Sequence, residues 1–238
     1  MALPMNNMPT FNLKVPSTGK TVKFRPFLVK EEKALLIAQQ TEDMQVMADT
    51  LRNVIAECVL DKLDVASLAT FDLEYMFLQI RGKSVGETVD LFFQCDEDHG
   101  ELNDKARVKM VINLTDIEVK RDPKHTNKIP LFNGVGVVMK YPTLESAVGM
   151  ANLENVEDVF NMVADSIDYI YDNDQIYYAK ETSKSELIEF LNNLTTEQFL
   201  KVQEFFETIP KLAYEVKYKC PVCNKEHNKV LEGLANFF

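Results

Sequence analysis

The residues best suited to chemistry lie near the C-terminus, where Cys220-Pro221-Val222-Cys223 is followed by His227. Two thiolates separated by two residues can converge on one metal at about 2.3 Å when a tight turn carries them, and Pro221 suits such a turn. A tetrahedral ion needs four ligands. Cys95 and His99 follow an alternating strand much as Cys220 does, so a structural zinc is expected to draw on Cys95, Cys220 and Cys223 with either His99 or His227. Such a centre would clamp two parts of the chain together and contribute folding energy directly. Two other readings stand beside it. A Cys-Pro-x-Cys redox pair should open a helix after a buried strand, yet the fifteen residues after Cys223 read as turn and strand. A metal-free hairpin with solvent-facing thiols is the third. Cys58 lies on an apolar helical stripe and reads as a buried, inert thiol.

Other constellations do not survive inspection. Ser17-Thr18-Gly19-Lys20-Thr21 ends like a phosphate-binding loop, but Lys14 stands where the first glycine belongs and a strand follows instead of a helix. No G-x-G-x-x-G or G-x-S-x-G occurs. Asp96-Glu97-Asp98 and Asp172-Asn173-Asp174 lack the glycine and glutamate positions of a calcium loop and read as solvated loop charges. His125 falls in a polar stretch and reads as a surface residue. Nothing points to a Ser-His-Asp triad.

The elements that must position the cysteines follow from periodicity. Phe11, Leu13 and Val15 alternate, Pro16-Ser17-Thr18-Gly19 turns, and Val22 and Phe24 return, which predicts a hairpin. Helices are predicted from Val29, over Met44–Lys62 and over Phe71–Arg81, the last stopping at Gly82. Strands carrying Val89, Leu91, Phe93 and then Val108, Met110, Ile112 flank the Cys95 tip. Lys120 to Lys128 reads as a linker. Beyond it come a strand at Val135–Met139, then a helix through Val156, Val159, Phe160, Val163, Ile167 and Ile170. That helix is expected to run from Asp158 to an acidic, tyrosine-rich end at Tyr178. Two capping boxes, Ser183-x-x-Glu186 and Thr195-x-x-Gln198, open two further helices. Strands around Tyr214–Tyr218 and Val230–Leu231 flank the second cysteine tip. Phe237 and Phe238 are expected to pack on the chain's own core or to serve a partner.

The expected fold is α+β, with two related lobes of helices and short antiparallel hairpins carrying zinc-knuckle-like tips. The lobes are placed at 1–119 and 129–238, joined by the 120–128 linker, and their similar element order suggests an internal duplication. With 238 residues, 46% of them apolar and 26% charged, the chain can bury a sizeable core. No apolar run spans a bilayer, and Met1 to Thr10 lacks the pattern of a signal peptide, so no membrane role and a reducing compartment are expected. A net charge of −11 argues against nucleic acid as a partner.

Several motifs together carry a family resemblance. Phe24-Arg25-Pro26-Phe27-Leu28-Val29-Lys30-Glu31-Glu32-Lys33-Ala34-Leu35-Leu36 resembles the opening signature of baseplate hub proteins of T-even-type contractile-tailed bacteriophages. Phe71-Asp72-Leu73-Glu74-Tyr75, Arg81-Gly82-Lys83-Ser84-Val85-Gly86-Glu87, the closing Cys-x-x-Cys and Leu231-Glu232-Gly233-Leu234-Ala235-Asn236-Phe237-Phe238 extend the resemblance from about Pro9 to the last residue. It implies a virion-assembly protein made in the host cytoplasm, whose partners are other hub or tape-measure proteins. It would be either a hub component kept in the tail baseplate or a transient chaperone that leaves. The resemblance supplies no catalytic residues, so no enzymatic activity is expected; a hub-associated hydrolase is the alternative from another class. Relatives often pair cysteines at the first hairpin tip, and here His99 of Cys95-Asp96-Glu97-Asp98-His99 stands where a thiolate would. An acidic assembly factor would be steered toward a basic client.

Overall fold

Alternating residues, capped helices and glycine turns produce a mixed helix and sheet chain. The computed structural model describes residues 8–150 and 155–237. The chain begins with β1 (Phe11–Lys14), β2 (Thr21–Phe24), α1 (Val29–Thr41), α2 (Met44–Cys58) and α3 (Thr70–Ser84). Next come β3 (Thr88–Gln94), β4 (Arg107–Asn113), β5 (Glu118–Lys120), β6 (Lys128–Phe132) and β7 (Val135–Met139). Helices α4 (Leu144–Met150) and α5 (Val156–Asp165) precede β8 (Ile167–Asp172) and β9 (Gln175–Tyr178). Helices α6 (Lys184–Asn192) and α7 (Thr196–Glu207) lead to β10 (Lys211–Lys219) and β11 (Glu226–Glu232). No helix among the described residues is long and apolar enough to cross a membrane.

Two compact units result. The first takes the chain up to Val65, then Phe71–Lys120 and Lys211 onward; the second takes Ala66–Thr70 and Arg121–Pro210. The sequence-based lobe of 129–238 therefore differs from the observed grouping: β10 and β11 belong with the first unit. The expected linker is divided as well, because Lys120 closes β5 while Lys128 opens β6.

The first unit is built on three antiparallel pieces, the β1–β2 hairpin, the β3–β4 hairpin and a β5–β10–β11 sheet. The β1–β2 turn uses Gly19 at φ +70°, a conformation that a side chain would strain. The fully buried Asp72 of α3 accepts the Ser17 N–H at 2.8 Å, which ties that turn to the helix. Helix α2 starts on Asp43, whose carboxylate accepts from Gln45 and Val46. It ends at Cys58 instead of Lys62, because the backbone beyond it is captured by β2: Arg25 N–H donates to Cys58 O at 2.9 Å and Leu60 N–H to Lys23 O at 2.9 Å. Helix α3 passes through Gly82 rather than stopping there. Gly82 is buried with an ordinary helical backbone, and Ser84 two residues on donates to Ile80 O at 2.6 Å while accepting Phe27 N–H at 2.9 Å. Leu78, Phe93, Ile112, Leu114, Ile117, Leu212, Val216, Tyr218, Leu231 and Phe237 form one core cluster of this unit. Phe237 is fully buried, as expected of a ring packing on its own chain, and that burial is worth about 2–3 kcal/mol; Phe238 lies outside the described residues.

The signature around Pro26 has a physical reading. Glu31, in the first turn of α1, reaches back to accept Leu28 N–H at 2.7 Å and takes an Arg25 guanidinium N–H at 2.8 Å. Burial pushes its carboxyl up, but Arg25 and the Leu28 N–H outweigh that and hold it below the usual range.

The second unit is a β6–β7–β8–β9 antiparallel sheet with α5, α6 and α7 against it. Ile129, Val137, Met139, Val163, Ile167, Leu187, Leu191, Val202 and Phe205 are among its buried residues. Both expected capping boxes are present at Ser183 and Thr195. The helix expected to continue from Asp158 to Tyr178 stops at Asp165. Ser166 bonds back to Met162 O at 2.9 Å, and the Ile167–Asp172 segment is taken into the sheet opposite β7. The tyrosine-rich patch is thus a hairpin turned by Asn173 at φ +50°, with exposed β9 at the edge of the sheet.

His125, expected on the surface, is half-buried in this unit. Thr208 gives its hydroxyl proton to Glu204 O at 2.7 Å, so it accepts from His125 Nδ1 at 2.9 Å. His125 Nε2 then accepts from the Tyr141 hydroxyl at 3.1 Å, and the ring packs on Tyr141 and Phe205. Burial, with a smaller effect of Arg121, lowers its pKa. The folded state therefore favours the neutral ring, and that part of the stability is fully present above the unfolded value of about 6.5 and is lost as pH falls below it. An NMR titration, assigned with His125→Gln, should place its midpoint below 6.5; a midpoint at or above 6.5 contradicts the buried neutral ring. For the first unit, Arg25→Ala removes one partner of the buried Glu31, which keeps Leu28 N–H and Lys30 at 3.3 Å, and should lower stability by about 1–2 kcal/mol in urea unfolding. A change within about 0.5 kcal/mol, the size of an ordinary surface substitution, would show that the pair contributes little.

Candidate metal centre

Strand alternation delivers the cysteines. In β3 and just beyond, Phe93 and Cys95 share a face; in β10 and just beyond, Tyr218 and Cys220 do the same. Phe93 and Tyr218 stack at a centroid distance of 5.2 Å, and the Tyr218 hydroxyl donates to Gln94 O at 2.9 Å. These contacts bring the ends of two hairpins together one step before the thiols. Cys95, Ala106 and Cys220 then form a small buried cluster with Val222 against it.

Each tip has its own local device. In the second, Cys220 N–H donates to Lys225 O at 2.9 Å, Asn224 N–H donates to Cys220 O at 3.0 Å, and Asn224 takes the left-handed φ of +59°. The Val222 N–H lies 3.4 Å from the Cys220 sulfur. Burial raises the Cys220 thiol, but the N–H groups of Cys223 and Val222 and the neighbouring thiols outweigh it and bring the pKa down to about 6. In the first tip, Cys95 N–H closes the hairpin on Ala106 O at 3.3 Å. Asn103 Oδ1 accepts His99 N–H at 2.8 Å, and Asp98 accepts from Gly100 N–H and the Asn103 amide, both at 2.9 Å. Burial pushes the Cys95 thiol up, and the Cys220 and Cys223 thiols add to this.

One ligand atom from each of Cys95, His99, Cys220 and Cys223 lies within 4.8 Å of all the others. The Cys95 and Cys223 sulfurs are 3.9 Å apart, nearly twice a disulfide bond of about 2.05 Å. The Cys220 sulfur is 3.5 Å from His99 Nε2. Metal–sulfur bonds of about 2.3 Å and metal–nitrogen bonds of about 2.0–2.1 Å at tetrahedral angles give edges of about 3.8 Å and about 3.5 Å. This four-residue cluster can therefore hold a metal ion. His227 stands beside it: its Nε2 is 3.2 Å from the Cys95 sulfur and its Nδ1 is 3.3 Å from an Asp96 carboxylate oxygen.

The acidic run at 96–98 is exposed, as expected of solvated loop charges, and its side chains are also engaged at all three positions. Asp96 pairs with Lys229 at 3.0 Å, Glu97 pairs with Lys225, and Asp98 caps its own loop. Lys229 is the first cause of the lowered Asp96 pKa, and Lys225 of the lowered Glu97 pKa. Lysines at 225 and 229 flank His227, a pattern complementary to adjacent acids, but only the hairpin pairing shows which acids they meet.

The chain is 21% identical over 230 residues to the baseplate hub assembly protein gp26 of Enterobacteria phage T4, covering 96% of each chain. No solved structure matches. The family model described as T4 bacteriophage base plate protein matches residues 8–238, so the chain belongs to that family.

Proposed function

We propose that the protein acts in assembly of the baseplate hub of a T4-like tailed phage, without catalysis, by binding other hub or tape-measure proteins in the host cytoplasm. The observation that carries this reading is the likeness to a baseplate hub assembly protein along nearly the whole of both chains. The net charge of −11 would steer it toward a basic client, with affinity falling as salt is added. Purified particles and infected-cell lysates, compared by quantitative mass spectrometry, test the role. Presence at a fixed ratio to other baseplate proteins marks a hub component; presence in lysate with absence from particles marks a chaperone that departs. Assembly of normal hubs in cells lacking the protein would overturn both.

The proposal includes one structural zinc held by the cysteine–histidine cluster. Three sulfurs and one imidazole nitrogen suit zinc's preference for soft and borderline donors in a closed tetrahedral site. The bound ion would join the two hairpin tips and add to folding stability. Elemental analysis of the purified chain should give about one zinc per chain. Cys95→Ser and Cys220→Ser should both lose it and melt about 10 °C lower. Zinc-free wild-type protein with the same melting temperature would sink the zinc reading.

A further inference from the structure

Five side chains of metal-binding type crowd a place where a tetrahedral ion takes four ligands. We infer that His227 is not a ligand but the residue that positions Cys95, gripping its sulfur from outside the metal's coordination shell, while His99 supplies the nitrogen ligand. The inference rests on the zinc reading above.

The first argument is placement. His99 belongs to the group of four whose ligand atoms are mutually close, and His227 does not. Its Nε2 lies 3.2 Å from the Cys95 sulfur, which is hydrogen-bond range for a nitrogen and sulfur pair. Its Nδ1 faces Asp96 at 3.3 Å, and Asp96 in turn is held by Lys229 at 3.0 Å. Groups outside a coordination shell orient a ligand by hydrogen-bonding to it, and an imidazole held by Asp96 is placed to do this for the Cys95 sulfur.

The second argument is rigidity. His227 is directly opposite Tyr218 in the β10–β11 register. The two rings stack at 4.8 Å and 13°, and both are buried. The Tyr218 hydroxyl is itself fixed to Gln94 O. The imidazole plane is therefore set by a neighbour that touches both hairpins. His227 and Lys229 are two apart on one strand face, so β11 grips the consecutive residues Cys95 and Asp96 with alternate side chains.

The same Asp–His–Cys order occurs in thiol hydrolases, where the base frees an accessible thiolate. Here the Cys95 sulfur is buried and has a second thiol at 3.9 Å, which suits a ligand instead of a nucleophile.

The test uses the full-length chain loaded with zinc or with cobalt(II), whose visible spectrum reports its ligands. His227→Gln should keep about one metal per chain and the cobalt spectrum of a three-sulfur, one-nitrogen site, while affinity in a chelator competition falls about 10–100-fold. His99→Gln should change the cobalt spectrum or lose the metal. Asp96→Asn, at an exposed loop position that leaves the core untouched, should weaken affinity in the same direction as His227→Gln. A wild-type cobalt spectrum preserved in His99→Gln but lost in His227→Gln would overturn the assignment. So would unchanged affinity in both His227→Gln and Asp96→Asn. Wild-type protein that takes up no metal would instead defeat the zinc reading on which the assignment rests.

Discussion

The meeting of two hairpin tips is the constraint around which the first unit is organised. Cys95 and Cys223 are 128 positions apart in sequence, and their sulfurs are 3.9 Å apart. Closing so long a loop has an entropic cost, although that cost rises only slowly with length. What offsets it is layered: a shared apolar core below, a ring stack and a tyrosine hydroxyl at the neck, charge pairs at the rim, and the thiol–imidazole cluster at the centre. The rim pairs are exposed and individually weak. The apolar core and the Phe93–Tyr218 contact are the buried parts of this arrangement.

The motifs that carry the family resemblance are, on this structure, a framework. Arg25 and Glu31 lock the entry to α1; Phe27 is tied to Ser84 at the end of α3; Glu74 in α3 accepts Leu234 N–H near the C-terminus at 3.1 Å. Residues quoted from separate stretches of the sequence thus bond to one another. Burial raises the Glu74 carboxyl above its ordinary value, with the Leu234 N–H pulling the other way. A framework made of such pairs accounts for side chains that look functional by type, an Arg, a Glu, a Ser and an Asp, without assigning them chemistry.

Local patterns were legible where local physics decides. The capping boxes, the β3 and β4 alternation and the turn at Gly19 can be read from neighbours a few residues apart. The gathering of Cys95, Cys220 and Cys223 with a histidine was legible too, because soft donors at short spacing beside alternating strands suggest one shared centre. Features set by distant parts of the chain were not. The 167–178 segment keeps helical spacing at Ile167 and Ile170, and only pairing with β7 makes it a strand. His125 looks solvated among polar neighbours until Thr208 and Phe205 arrive from far along the chain. That His99 and not His227 joins the close group, while His227 stacks on Tyr218, follows from hairpin register and is invisible in spacing.

The first unit is discontinuous in the chain: the segment from Arg121 to Pro210 belongs to the second unit, and β10 and β11 follow it. Order of synthesis therefore separates the two. At about 5–20 residues per second, roughly 90 residues take about 5–18 s to make. For that interval β3, β4 and Cys95 exist without the hairpin that covers them, while the main segment of the second unit is being completed. The Phe93 face and the Cys95 thiol are then exposed in a nascent chain, where apolar surface and unpaired strand edges invite wrong partners. The acidic loop at 96–98 sits beside that tip, and for the same interval Asp96 and Glu97 are without Lys229 and Lys225, their partners on the hairpin still to be made.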